Sequence, residues 1–224
     1  VCSSDLYYPL LTPLQGSSLF ADTTPEERLL AYKKNIEFIS SMQIFLEKTL
    51  VHAFYFYRRK EENLDPLIKR SMRLVAREEL YHTQAYEHFL SQQEGPTSFM
   101  QNRLFRFLTG LSLKINPLAF TLIGAKFEAF SMTHMEDLKS SNMDPQDPWF
   151  VLNQMHMEDE AYHVPLQFDI YNASVKQYGF LRTFAAMAIM FVLFQFVLIS
   201  GMRKVVNVAY ANRSFWRQIG RAHV

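Results

Sequence analysis

Apolar positions along most of this chain recur at helical spacing. Ile44, Leu50, Val51 and Phe54 line one face of a segment, and Met72, Val75, Ala76 and Tyr86 line another. The segments begin on a repeated device. Thr24-Pro-Glu-Glu27 supplies a cap, a proline at the first helical position and a glutamate three residues after the cap. Asp65-Pro66, Asn116-Pro117 and Asp147-Pro148 repeat the cap-plus-proline pair. The pattern predicts four long helices near residues 25–61, 66–93, 117–140 and 148–177. A short crossing helix over 98–114 follows the stop at Glu94-Gly-Pro-Thr97. Pro165 inside the fourth helix predicts a kink that frees a carbonyl near Ala161. Residues 7–23, with Pro9, Pro13 and Gly16, read as an irregular lead-in.

From Thr183 to Met202 the chain is almost wholly apolar, between Arg182 and Arg203-Lys204. That length suits one membrane span, against which Gln195 and Ser200 count mildly, and charge at both ends gives no orientation. The alternative is an additional C-terminal apolar helix, about 180–211, buried on all sides or docked in an oligomer interface such as a homodimer's.

Composition agrees with a packed helical protein: 49% of the 224 residues are apolar and only 7 are glycine. With 23 basic against 22 acidic residues and no basic run, nucleic acid is excluded as a partner. The ends stand apart. Val1-Cys-Ser-Ser-Asp5 can be encoded by a stretch of DNA whose reverse complement encodes Ile219-Gly-Arg-Ala-His223, the signature of one sequencing adapter at both edges of a fragment. Residues 1–6 and 219–224 are therefore set aside, leaving a single domain over 7–218. The sole cysteine, Cys2, leaves with them, so no disulfide framework or thiolate chemistry is expected. No signal peptide is visible, which points to the cytoplasm, with membrane association through 183–202 as the variation.

The chemistry lies in the acids and histidines on these helices. His156, Glu160 and His163 stand at i, i+4 and i+7, on one helix face. Glu79 and His82 form a second Glu-x-x-His pair. Glu47 and Glu128 each sit in an apolar stripe of their own helix, where an ionised carboxylate is costly without a neutralising partner. Two Glu-x-x-His helices plus one glutamate from each of two others is the ligand set of a carboxylate-bridged dimetal bundle, and one long crossover makes it ferritin-like. The predicted ligands are Glu47, Glu79, His82, Glu128, His156, Glu160 and His163. Glu79 and Glu160 bridge; His82 and His163 take one metal each; Glu47 and Glu128 are terminal or chelating; His156 is an additional nitrogen donor. Asp159 and Glu78 are candidates to accept the free N–H of a ligating imidazole. Imidazole and carboxylate without thiolate favour iron or manganese over structural zinc. Gly124, Ala125 and Ser131 beside Glu128 leave room for a substrate or allow close helix packing, and Tyr81, Tyr86 and Tyr162 either line the site or belong to the core. His52, His88 and His134 fit no ligand face.

The ordered set Glu, Glu-x-x-His, Glu, His-x-x-x-Glu-x-x-His resembles the diiron arylamine oxygenases, the p-aminobenzoate N-oxygenase family, over about residues 25–175. There an extra histidine lies one turn before the last Glu-x-x-His, as His156 does here. The resemblance implies a ferritin-like bundle with two iron ions (Fe2+/Fe3+, manganese as the variant). It also implies an external electron donor, and O2 used to oxidise a small amine, with no catalytic residues beyond the ligands. Phe168-Asp-Ile-Tyr171 followed by the apolar run resembles instead a group of presumed metal-dependent hydrolases. A membrane-held hydrolase or lipid-directed enzyme, and a non-enzymatic iron or manganese carrier, are the rival expectations.

Overall fold

A computed structural model describes residues 25–60, 66–92, 103–139 and 144–209. The lead-in, the caps at Thr24 and Asp65, the stop at 94–97 and both set-aside ends lie outside them. Among the described residues the structure is helical, with no strand. The helices are α1 (Pro25–Lys60), α2 (Pro66–Ser91), α3 (Arg103–Ile115), α4 (Phe120–Lys139), α5 (Pro148–Tyr178) and α6 (Phe180–Ala209). The chain is an all-α bundle.

The described starts follow local chemistry. Asp147 caps α5: its Oδ1 accepts from the backbone N–H of Trp149 at 2.8 Å and of Phe150 at 3.4 Å, ahead of Pro148 at the first position. At Asn116 the same sign is used differently. Asn116 Oδ1 accepts from Leu118 N at 3.0 Å, and Ala119 N and Thr121 N bond back to Asn116 O and Leu118 O. Residues 116–119 are thus spent on a turn, and α4 starts three residues later than the cap predicts. The same side chain donates through Nδ2 to Thr183 Oγ1 at 2.9 Å and to Ser174 Oγ at 3.4 Å, fastening this turn to the α5–α6 junction. Gly179 makes that junction in one residue with φ +79°, a conformation that favours glycine. α5 is assigned as one helix through Pro165, whose ring is exposed.

Two apolar clusters set the helix directions. One gathers Leu50 and Phe54 of α1, Met72 and Val75 of α2, Phe120 of α4 and Ile170 of α5. The other gathers Ile36 of α1, Tyr86 of α2, Met135 of α4 and Trp149 of α5. Passing from the first cluster to the second, α2 and α4 run with the chain while α1 and α5 run against it. Two helices that run the same way need a long connection, and α3 lies on it. On α2, α4 and α5 the acids and histidines fall between the two clusters, so they form a polar layer inside an apolar bundle.

α6 packs chiefly on α3 and α1. It buries Thr183, Ala186, Met190 and Leu193 and exposes Phe184, Phe191, Val192 and Phe196. Burial on all sides is therefore not what the apolar run achieves: one face is covered and the other is not. No single helix among the described residues is long and apolar enough to cross a membrane, the expected span at 183–202 included.

Candidate metal centre

All seven side chains predicted as ligands are buried. Glu47 and Glu128, the two with the weakest sequence signal, are 2% and 3% exposed. α1 contributes Glu47, α2 Glu79 and His82, α4 Glu128, and α5 the stripe His156, Glu160, His163.

Glu79 faces two histidines and Glu160 faces three. Glu79 sets Oε2 at 3.5 Å from His82 Nδ1 and Oε1 at 3.3 Å from His163 Nδ1. Glu160 sets Oε1 at 3.3 Å from His82 Nδ1 and 2.9 Å from His156 Nε2, and Oε2 at 3.1 Å from His163 Nδ1. Glu47 Oε1 lies 3.1 Å from His156 Nε2. Both oxygens of Glu79, Glu160 Oε1, Glu47 Oε1 and His82 Nδ1 are buried without an aligned hydrogen bond, close though they are. Buried polar atoms are rarely left so. Lone pairs that crowd one another without sharing protons in line are able to hold a cation between them. Two triads have donor atoms all within 4.8 Å of one another, Glu47/His82/His156 and Glu79/His82/Glu160.

The outward nitrogens are held as an imidazole ligand requires. His82 Nε2 lies 3.0 Å from Asp159 Oδ2, and His163 Nε2 lies 2.8 Å from Glu78 Oε2. Those two carboxylates thus accept the N–H that leaves Nδ1 free to face the cluster. His156 is turned the other way, with Nε2 inward, and its Nδ1 meets a neutral group, Tyr86 Oη at 3.3 Å. Tyr86 in turn donates to Asn153 Oδ1 at 3.3 Å, and Asn153 Nδ2 donates to Trp149 O at 2.7 Å.

Electrostatics record the strain of concentrating these groups. Burial opposes charge on His82, but the carboxylates of Glu160 and Glu79 prevail and push it up to about 11. By the same balance His156 rises to about 9, with Glu160 and Glu47 as partners, and His163 to about 12, with Glu160 and Glu79. Burial raises Glu47 to about 7, and it lifts Glu128 well above the carboxylate range with help from the charges of Glu160 and Glu79. Glu160 alone is held well below it: burial works against its charge, but His156, His163 and His82 surround it. Without a metal, these shifts favour protonated histidines around an ionised Glu160.

Several residues of the centre escaped the sequence reading. Gln167 Nε2 donates to both oxygens of Glu128 at 2.8 Å, Thr83 Oγ1 donates to Glu47 Oε2 at 3.3 Å, and Gln43 Nε2 lies 3.3–3.4 Å from the His156 ring nitrogens. Each lies one helical turn from a predicted ligand, so the ligand stripes extended by four residues would have found them. Gly124 serves packing: a Cβ there would meet Gln167 Oε1 at 2.9 Å and Leu50 Cδ1 at 3.1 Å. Of the three tyrosines, Tyr86 is fully buried at His156, Tyr81 borders a surface cavity beside the centre, and Tyr162 points into solvent, 80% exposed. His52 and His88 are exposed, and the His134 side chain lies outside the described residues.

The fold and site together define a class: an all-α bundle whose buried carboxylate–histidine layer is able to hold metal ions. Comparison with protein-family models, curated proteins and solved structures finds no match to this chain.

Proposed function

We propose that this chain is a ferritin-like, non-haem diiron oxygenase, and that its substrate is a small organic molecule, by resemblance an arylamine oxidised at nitrogen. The observation that carries the reading is the posture of Glu79 and Glu160, each offering one oxygen to His82 and the other to His163. Four carboxylates carry four negative charges, and two divalent cations cancel them. The donors divide unequally: Glu47, His82 and His156 lie to one side, His163 to the other, and Glu128 adjoins Glu160. Bound iron would supply reduction of O2 with electrons from an external donor.

The protein's own part is positional. Asp159, Glu78 and Tyr86 fix the imidazoles; Gln167 and Thr83 orient the outer glutamates; the apolar clusters keep water from the acids. Anaerobic loading with ferrous iron tests the reading. Two irons per chain by elemental analysis and a transient visible absorption on mixing with O2 are expected, and Glu160→Ala should abolish paired loading. Normal two-metal loading of Glu160→Ala contradicts the scheme. The uncovered face of α6 favours a second reading, in which the same centre acts as a hydrolase at a lipid surface. Co-flotation with phosphatidylcholine vesicles and turnover without O2 or reductant would select it.

A further inference from the structure

A cavity of about 340 Å³ opens between α2 and α5 and reaches the centre. His82, His156 and Tyr86 form its buried floor. Its rim is acidic: Glu78, Glu158 and Asp159 border it, and no lysine or arginine is among its lining residues. Glu78 and Asp159 each spend one oxygen on a histidine N–H, and Glu158 accepts only a 3.3 Å bond from Gln154, at an exposed position. Tyr81 and Met155, both more than half exposed, form the wall at the mouth.

We infer that this cavity binds a small amphiphilic cation, its charged head at the Glu78/Glu158/Asp159 rim and its apolar or aromatic end against His82, His156 and Tyr86. That this ligand is the substrate rests on the oxygenase reading; that the cavity takes a cation does not. The volume lies at the small end of ligand sites and suits a single ring with a short tail. An anion would have to pass three carboxylates at a rim that has no lysine or arginine to receive it, and like-charge juxtaposition is strongly unfavourable. Tyr81 adds an aromatic face beside the head's position. The geometry argues against a substrate that carries a free carboxylate at its outer end. For an arylamine oxidised at nitrogen, the aryl nitrogen is then at the inner end and the cationic head is a second group.

The experiment is a calorimetric titration of the full chain with 2-phenylethylammonium and with its near-isosteric anion 3-phenylpropionate, with metal content measured on the same sample. The cation should bind about tenfold tighter or more. Glu158→Lys should remove that margin, whereas Glu136→Lys, the same charge change at a remote exposed pair with Lys139, should leave it unchanged. Equal or tighter binding of the anion, binding of neither, or an unaltered margin in Glu158→Lys overturns the inference. Two bound metals without cation preference remove the cavity assignment and spare the metal centre. Cation preference in a chain that takes up no metal supports the cavity and removes the oxygenase.

Discussion

Loading two divalent cations into the cluster at pH 7 should expel about four protons. His82, His156 and His163 are raised to about 11, 9 and 12, so each holds a proton at that pH. Burial lifts Glu128 well above the carboxylate range toward its protonated form, and Glu47, near 7, is part-protonated. A cation needs the imidazole lone pairs and the ionised carboxylates, so those protons must leave. The contrast with a solvated cluster is large. Three ordinary histidines near 6.5 and four ordinary carboxylates would together hold fewer than about one proton at pH 7. Proton release is measurable by titrating Mn2+ or, anaerobically, Fe2+ into weakly buffered protein with a pH indicator, or by calorimetry in two buffers of different ionisation enthalpy. By linkage the overall two-metal association constant should climb about 10⁴-fold per pH unit near neutrality. Release of about one proton or fewer, or an affinity indifferent to pH, would refute the claim that protons stand in for the metals.

Metal-free protein should melt at progressively lower temperature as pH rises from about 6 to 10. His156, raised from 6.5 to about 9, gives stability that is complete below 6.5 and lost as pH passes 9; Glu47, raised from 4.5 to about 7, loses its contribution over that lower window. Calorimetry with chelator present should show the fall, metal-loaded protein should not, and a rise in the chelated sample contradicts it. Tyr86→Phe strands Asn153 Oδ1 and His156 Nδ1 and should cost about 1–3 kcal/mol in urea unfolding. It should also weaken metal binding about 10- to 100-fold, and unchanged affinity would remove Tyr86 as a positioning residue. Gly124→Ala sets a crowding cost of about 1–3 kcal/mol against a helix-propensity gain of about 1 kcal/mol, so a net loss of up to about 2 kcal/mol is expected by the same assay. Its methyl meets the amide that holds Glu128, so metal uptake at that glutamate should suffer more than stability.

The helices were legible because their signals are local. A cap, a proline and a face of apolar residues gave α5 its start at Pro148 and its end within a residue or so. Where a side chain answered a second demand, the local signal misled: Asn116 reads as a cap but is committed to a turn that also binds Thr183 and Ser174. The apolar run of α6 announced burial without saying against what. A one-sided pack against α1 and α3 and a full membrane span use nearly the same composition. Within the site, charged ligands stood out because an acid on an apolar stripe demands a partner. Gln43, Thr83 and Gln167 did not, because a neutral polar side chain at such a position is no anomaly in sequence. Their role depends on a neighbour from another helix.

The partners of the histidines and of Glu128 also explain why the two halves of the centre differ. His82 and His163 lean on carboxylates, Asp159 and Glu78, which draw the imidazole N–H toward negative charge and strengthen the inward lone pair. His156 leans on the Tyr86 phenol and the Gln43 amide, which position it without that electrostatic help. The side with Glu47 therefore has one more nitrogen donor, but one more weakly supported. Glu128 opposite has both oxygens engaged by Gln167, whose amide favours its ionised form against the burial that opposes it. A cation arriving first finds more donors near Glu47. In the proposed dimetal centre a second cation would have to draw Glu128 from its amide, so two ions would be held unequally although the ligand count looks nearly symmetric.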